Sequence, residues 1–156
     1  MVAKNESQVS SSDTRLEKEI TSSKNDNIRL VKQVYEAFQQ QDLGHVLGSL
    51  TDDVRLHFSG TKDLIPFAGT YQGKDGAGEF FRKMAQFQEV RKLEPREFLP
   101  GTSSEVVVLL RIAATEKTHK REFQEDSVHV HTIRDGKISE IKIYSEMSSI
   151  LQAYGK

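Results

Sequence analysis

The segment Ile65-Pro66-Phe67-Ala68-Gly69-Thr70-Tyr71-Gln72-Gly73-Lys74-Asp75-Gly76-Ala77 is the most informative part of this 156-residue chain. Pro66 and Gly69 predict an irregular loop, with the two apolar residues Phe67 and Ala68 between them. Gly73 and Asp75 then open an amphipathic helix, predicted over about 75–88. The buried stripe of that helix consists of Phe80, Phe81, Met84 and Phe87. Helices precede the segment and long strands follow it, which predicts an α+β fold: a cone in which a curved antiparallel sheet wraps around N-terminal helices and encloses a pocket.

Composition limits the class of protein. Lys and Arg (22) are mixed along the chain with Asp and Glu (23), giving a net charge of −1 that argues against a nucleic-acid partner. The absence of cysteine excludes disulfides, thiol nucleophiles and Cys-ligated metals. No apolar run approaches the length of a membrane span, and the amino terminus lacks the apolar core of a signal peptide. We therefore expect a cytoplasmic protein without a membrane partner.

Residues 1–25 differ from the rest of the chain. They consist mainly of Ser, Lys, Glu, Asn and Gln, with almost nothing to bury. We predict a disordered polar tail over 1–25 and a single folded domain over 26–156. A short helix over 14–20 has no residues that would anchor it to the domain.

The remaining elements follow from periodicity and capping signals. A first helix is capped within 25–27, and Asp42 caps a shorter second helix. Their apolar stripes are Ile28, Val31, Val34, Tyr35 and Phe38 in the first, and Leu43, Val46, Leu47 and Leu50 in the second. Strands are predicted over 54–58, 92–99, 105–115, 121–133 and 138–144, with a last helix over 147–154. Asp135-Gly136 predicts a tight hairpin between the last two strands.

The strand Val106-Val107-Val108-Leu109-Leu110 is apolar on both faces. An antiparallel strand in a small monomer normally turns one face to water. One face here can pack on the helices, and the other needs a second surface. We therefore expect a homodimer that forms through the sheet.

Several spaced motifs together resemble the SnoaL-like branch of the nuclear transport factor 2-like superfamily. They are Leu50-Thr51-Asp52-Asp53-Val54, the loop 66–73, Phe80-Phe81, the segment from His129 through Asp135-Gly136-Lys137-Ile138, and Tyr144-Ser145-Glu146. The match covers nearly everything from Ile28 to Ala153. It implies a cone-shaped α+β fold with a pocket at the wide end, commonly as a homodimer. Ketosteroid isomerase, polyketide cyclases and epoxide hydrolases share this fold, so the resemblance does not specify the reaction.

The catalytic residues of those relatives carry over only in part. The general-base aspartate of ketosteroid isomerase falls at Leu56-His57-Phe58, and its second acid falls at Val128-His129-Val130, so neither carboxylate is present. Tyr35 lies one residue from the position of that enzyme's first-helix tyrosine. The carboxylate that polyketide cyclases keep after the last strand corresponds to Glu146, and their strand histidine corresponds most nearly to His129. The resemblance thus implies Glu146, His129 and Tyr35 as catalytic residues that need no cofactor.

Two alternatives stay open for these residues. Glu146 is either a pocket acid or a surface residue at the start of the last helix, where negative charge is favourable. Either face of the strand 121–133 can line the pocket. One face carries Phe123, Glu125, Ser127, His129, His131 and Ile133, and the other carries Gln124, Asp126, Val128, Val130 and Thr132. The rest of the predicted pocket lining is Phe58, Phe67, Tyr71, Phe81, Met84, His131 and Tyr144.

His129 and His131 lie about 7 Å apart on one face of a strand. With Glu125 they could ligate zinc or iron. The spacing is common, however, and the sequence fixes no third ligand, so we predict no metal.

These residues favour a cofactor-independent isomerase, cyclase or hydratase that acts on a small hydrophobic carbonyl compound. The alternative is a non-catalytic module of the same fold that binds a small ligand or another protein. The missing isomerase carboxylates motivate that alternative.

Overall fold

The hairpin at Asp135-Gly136 joins the two strands that carry most of the interior polar groups. Both residues have positive φ, 52° and 74°, as a tight hairpin turn that matches the strand twist requires. The flanking strands pair antiparallel from Ser127 opposite Ser145 to Arg134 opposite Lys137. The predicted hairpin is therefore confirmed.

The computed structural model describes the backbone of residues 2–155 and the side chains of residues 12–155. The helices are α1 (Val2–Gln39), α2 (Leu43–Gly48), α3 (Gly73–Phe87) and α4 (Met147–Tyr154). The strands are β1 (Leu50–Phe58), β2 (Gly69–Gln72), β3 (Gln88–Pro100), β4 (Glu105–Glu116), β5 (Arg121–Arg134) and β6 (Lys137–Ser145). The predicted helix over 147–154 is confirmed. The short strand β2 was predicted as loop, because four residues with only Tyr71 buried carry too little periodicity to identify a strand.

The six strands form one curved, open sheet in the order β2-β1-β6-β5-β4-β3. The predicted α+β architecture is confirmed, with one correction to the sheet. Strands β1 and β6 pair parallel, so the sheet is mixed rather than wholly antiparallel. Such a pair needs a long crossover, which α3 and β3–β5 supply. Register shifts in β3, at Val90/Lys92 and Pro95/Glu97, are bulges of the kind that bend a strand.

Helix α1 is longer than predicted. It runs without a break from Val2 to Gln39, so residues 2–25 are helical where the sequence predicts a disordered tail. The side chains of residues 12–23 are all exposed, which agrees with a segment that has nothing to bury. The side chains of α1 begin to pack against the core near Ile28, and Val31 is fully buried.

The hydrophobic core lies between the concave face of the sheet and the helices α1, α3 and α4. Inward residues of β4, from Val106 to Ala114 in alternate positions, are buried. The outward residues of this strand, including Val107 and Leu109, are half-buried in the single chain. The homodimer expected to cover them stays a prediction.

Candidate active site

A cavity of about 90 Å³ lies between α1, α3 and the concave face of β5 and β6. This is several times the roughly 10–15 Å³ that one water needs. Its wall is almost entirely apolar, with Phe38, Phe58, Phe80, Phe81, Met84, Leu93, Ile112, Ile141 and Ile143 among the lining residues. The polar members of the wall are Tyr35, Gln88, Glu125, His129, His131 and Ser145.

The structure decides which face of β5 is internal. The face that carries Glu125, His129 and His131 is buried, whereas Gln124 and Asp126 on the other face are exposed. The buried row begins at Phe123 and ends at Ile133, both of which are core residues. The sequence did not distinguish the two faces, because the other face also carries the apolar residues Val128 and Val130.

Both imidazoles sit between apolar neighbours on adjacent strands. His129 lies opposite Val108 of β4 and Ile143 of β6. His131 lies opposite Val106 and Ile141. The side chains are 9% and 3% exposed. Burial, together with the charge of the neighbouring His131, lowers the pKa of His129 to about 3, and burial lowers the pKa of His131 to about 4. Both rings are therefore neutral at pH 7.

The hydroxyl of Tyr35 on α1 connects the two rings. Tyr35 Oη lies 2.5 Å from His129 Nδ1 and 2.9 Å from His131 Nε2. The tyrosine ring also stacks on His129, with ring centroids 5.9 Å apart, and meets the edge of Phe98. Burial raises the pKa of Tyr35 well above its usual value. The phenol therefore stays protonated and acts as a hydrogen-bond group rather than as an anion.

Glu125 is a carboxyl group inside the apolar wall. Its side chain is 4% exposed and lies opposite Ile112. Burial raises its pKa to about 8, against the opposing effect of a hydrogen bond from Ser145. At neutral pH it is mostly a protonated acid that can lose its proton one pH unit higher.

Four buried side-chain polar atoms within residues 12–155 have no hydrogen-bond partner. Three of them belong to the cavity wall: Glu125 Oε2, His129 Nε2 and His131 Nδ1. Buried polar groups are normally paired. Three unpaired atoms on one face of one strand mark a place where a ligand would supply the missing partners.

A larger groove of about 570 Å³ adjoins the cavity. The two share the wall residues Phe38, Phe81, Met84, Gln88, Val90 and Leu93. Arg91, Lys92 and Lys117 line the outer part of the groove. The groove therefore continues the cavity wall and adds basic side chains that the cavity lacks.

Six of the ten site residues predicted from the sequence line the cavity: Tyr35, Phe58, Phe81, Met84, His129 and His131. Phe67 and Tyr71 are buried but lie elsewhere in the core. Both pack against Phe80, which lines the cavity, but neither lines it. They are therefore core residues rather than pocket lining.

Glu146 and Tyr144 also require correction. Tyr144 is 45% exposed, because it alternates with the inward residues Ile143 and Ser145 and so faces outward. Glu146 is exposed at the N-terminus of α4, where its carboxylate accepts from the backbone N–H of Asp126. Glu125, not Glu146, is the carboxyl group of the cavity. Sequence reasoning placed Glu125 on one of two strand faces that could line the pocket and considered it as a metal ligand, but not as the acid/base residue.

Among the side chains of residues 12–155, no cluster of three or more His, Cys, Asp or Glu is arranged to hold a metal ion. His129 and His131 each direct one ring nitrogen to Tyr35 and keep the other ring nitrogen without a partner. None of the helices in the described part of the chain combines the length and apolar content needed to cross a membrane.

Solved structures with the same fold are numerous. An NTF2-like protein of unknown function from Burkholderia pseudomallei K96243 is 26% identical with a TM-score of 0.76, over 84% of this chain and 98% of that one. TerC, co-crystallised with polyporic acid, is 22% identical with a TM-score of 0.72, over 84% and 99%. A candidate SnoaL-like polyketide cyclase from Mesorhizobium loti is 18% identical with a TM-score of 0.61, over 74% and 96%. A search of the curated proteins found no match.

The family model for the SnoaL-like domain matches residues 31–141. The matched segment begins in the packed part of α1 and ends within β6, so it contains Tyr35, Glu125 and both imidazoles. Its extent, together with the shared fold of the solved structures, confirms the resemblance inferred from the sequence motifs. The chain belongs to the family of SnoaL-like domains.

Proposed function

We propose that this chain is a cofactor-independent acid/base enzyme that moves a proton on a small, neutral, largely apolar carbonyl compound, in an isomerisation, cyclisation or hydration. The observation that carries the proposal is the set of three unpaired polar atoms on the inner face of β5. An apolar cavity with a few converging polar groups is typical of a small-molecule site. The solved relatives support a fold that can hold a small organic molecule.

Glu125 is the proposed acid/base residue. Its protonated form can donate to a carbonyl oxygen, and its ionised form can remove a proton from the carbon next to that carbonyl. A pKa of about 8 makes both forms accessible near neutral pH, which favours general acid/base catalysis. The Ser145 hydroxyl holds one side of the carboxyl group and leaves Oε2 for the substrate.

His129 and His131 are the proposed partners of the substrate oxygen. Neutral imidazoles can donate or accept a hydrogen bond without placing a charge in the cavity. A carbonyl oxygen gains negative charge as its α-proton leaves, and a hydrogen bond from a ring N–H stabilises that charge. Positions 125 and 129 are about 13 Å apart along an extended strand, so the Glu125 and His129 side chains would have to lean toward each other to reach one small substrate.

The cavity limits the substrate to a small ring or short chain. Its volume of about 90 Å³ is of the same order as the roughly 150 Å³ cavity that holds benzene. Larger substituents would extend into the adjoining groove. Charged substrates are disfavoured inside the cavity, because its wall is apolar apart from neutral side chains.

Hydrogen–deuterium exchange tests the proposal without knowledge of the natural substrate. Cyclohexanone, 1-indanone and related cyclic ketones are incubated with the protein in D₂O, and loss of the α-proton signal is followed by NMR. We expect protein-dependent exchange that rises with pH and levels off above about pH 8, where Glu125 is ionised.

Three variants sharpen this experiment. Glu125→Gln should lose at least 100-fold in exchange rate. Glu122→Gln is the matched control, because Glu122 lies on the same strand but is exposed. Glu146→Gln should also keep wild-type exchange, whereas a loss there would restore the assignment made from the sequence. Ketones that bind without exchange would instead favour a non-catalytic ligand-binding module.

A further inference from the structure

One tyrosine hydroxyl lies between two histidines in the wall of the cavity. Tyr35 Oη contacts His129 Nδ1 at 2.5 Å and His131 Nε2 at 2.9 Å. A phenol has one proton to donate and lone pairs to accept with. Because a neutral imidazole has one N–H and one lone pair, Tyr35 donates to one ring and accepts from the other.

This arrangement ties the tautomers of the two rings together. If Tyr35 donates to His129 Nδ1, then His131 Nε2–H donates to Tyr35, and both rings carry their proton on Nε2. If Tyr35 donates to His131 Nε2, then His129 Nδ1–H donates to Tyr35, and both rings carry their proton on Nδ1. Of the two mixed combinations, one leaves the buried phenol proton without an acceptor, and the other leaves one ring nitrogen facing Tyr35 without a donor.

The tautomers also determine what the cavity offers to a ligand. His129 Nε2 and His131 Nδ1 are the ring nitrogens without a partner. In the first state His129 Nε2 is a donor and His131 Nδ1 is an acceptor, and in the second state these roles are exchanged. The pair therefore always presents one donor and one acceptor.

We propose that His129, Tyr35 and His131 form a proton relay, in which one free imidazole nitrogen takes a proton from a bound molecule while the other returns a proton to a second position on that molecule. His129 and His131 would touch the substrate, and Tyr35 would act through them as a positioning and transfer residue. The relay rests on the proposed function: Glu125 exchanges the proton on carbon, and the relay moves a proton between the oxygen atoms of the same molecule.

The proton count of the relay balances. Starting from the Nδ1–H state, His129 Nε2 takes a proton from the substrate, and the proton on His129 Nδ1 passes to Tyr35 Oη. The hydroxyl proton of Tyr35 passes to His131 Nε2, and the proton on His131 Nδ1 passes to the substrate. The substrate has lost one proton and gained one elsewhere, and both rings end in the Nε2–H state. The reverse shift, with a water in the emptied cavity, restores the starting state.

The surroundings of the rings favour this route over a charged intermediate. His129 lies between Val108 and Ile143, and His131 lies between Val106 and Ile141. An imidazolium in these positions would be poorly solvated, which is why burial lowers the pKa of both rings. A concerted relay leaves every ring neutral throughout. The matching ligand class is a neutral molecule with both a donor and an acceptor, such as an enol or a hydroxyketone.

Imidazole ¹⁵N NMR tests the relay without a turnover assay. Long-range ¹H–¹⁵N spectra of uniformly ¹⁵N-labelled wild-type protein at pH 7 report the protonation and tautomer of each of the five histidines. We expect His129 and His131 to be neutral, with equal Nε2–H populations at every temperature. Phenol is the added probe. Its hydroxyl should fix one free nitrogen as an acceptor, and the populations of both rings should then change together.

Variants separate the relay from simple packing. In Tyr35→Phe the two Nε2–H populations should become unequal, and phenol should shift only one ring. Phe98→Leu removes an edge contact to the Tyr35 ring but leaves its hydroxyl, so the two populations should stay equal. If Tyr35→Phe does not fold, His131→Leu serves instead, because Tyr35 then donates only to His129 and fixes it as Nε2–H.

Several outcomes would overturn the relay. These are unequal populations in the wild type, a charged ring at pH 7, or equal populations that persist in Tyr35→Phe. The NMR experiment and the ketone-exchange experiment can also fail independently of each other. Coupled rings without exchange would reject the proposed function and leave only the coupling of the two tautomers, whereas exchange with uncoupled rings would keep the proposed function and reject the relay.

Discussion

The pH dependence of stability offers a sharp test of the buried groups, because Glu125 and the two imidazoles act in opposite directions. The folded pKa of Glu125 is about 8, above its ordinary value of 4.5. Between these values the folded chain holds a proton that the unfolded chain has lost, so Glu125 makes stability fall as pH rises. The imidazoles have folded pKa values of about 3 and 4, below 6.5. Their contribution is present above pH 6.5 and is lost as pH falls.

These opposing contributions predict a maximum of stability near pH 6.5–7. Integration of the proton uptake gives a wild-type free energy of unfolding about 1 kcal/mol lower at pH 5 and at pH 9 than at the maximum. Glu125→Gln removes the loss of stability at alkaline pH, so that only the two imidazoles contribute to the pH dependence. Its free energy of unfolding should therefore rise by roughly 4 kcal/mol from pH 5 to pH 8 and then stay level.

Urea denaturation at pH 5, 6, 7, 8 and 9 measures these curves. Glu122→Gln is the control, because Glu122 is exposed on the same strand and its variant should follow the wild-type curve. Parallel curves for wild type and Glu125→Gln would show that Glu125 ionises normally in the folded protein. That result would refute the assignment of Glu125 as a buried, protonated acid.

Three further predictions concern other parts of the chain. Tyr35→Phe leaves two buried imidazole nitrogens without their partner, so it should lower the free energy of unfolding by roughly 2–4 kcal/mol in urea at pH 7; a loss below 0.5 kcal/mol would contradict these hydrogen bonds. Leu109 lies on the outward face of β4, so sedimentation should show a dimer for the wild type and a monomer for Leu109→Lys, whereas a monomeric wild type would reject the expected homodimer. Deletion of residues 1–25 should change the free energy of unfolding by less than about 0.5 kcal/mol, and a larger loss would show that this part of α1 supports the domain.

Local signals in the sequence predicted the elements well, because each element depends on its own periodicity or turn chemistry. Asp135-Gly136 needs only its own positive φ angles to form a hairpin. The apolar stripe of α3 was likewise readable from neighbouring residues. The parallel pairing of β1 with β6 was not, since it joins strands more than 80 residues apart.

The candidate site was predicted less completely for the same physical reason. The sequence places Glu125, His129 and His131 on one face of β5, but strand periodicity alone does not tell which face is internal. Tyr35 was selected by family resemblance, whereas its hydrogen bonds to both rings span 94 and 96 residues of sequence. Glu146 was selected over Glu125 because polyketide cyclases keep a carboxylate after the last strand. Ser145, one residue earlier, lines the cavity instead, which follows from the strand register rather than from the local sequence.

The inner face of the sheet suggests why these polar groups matter. The inward residues of the neighbouring strand β4, from Val106 to Ile112, are apolar and pack in the core without side-chain hydrogen bonds. Glu125, His129 and His131 instead leave three polar atoms unpaired, at a cost of about 1–3 kcal/mol each. Apolar residues of similar size would remove that cost, so the fold itself gives no reason for these side chains. A ligand that pairs with them does, since violations of packing rules concentrate at functional sites. A bound ligand that pairs with these atoms would remove the cost, so the free energy lost in the empty protein would contribute to the affinity for that ligand.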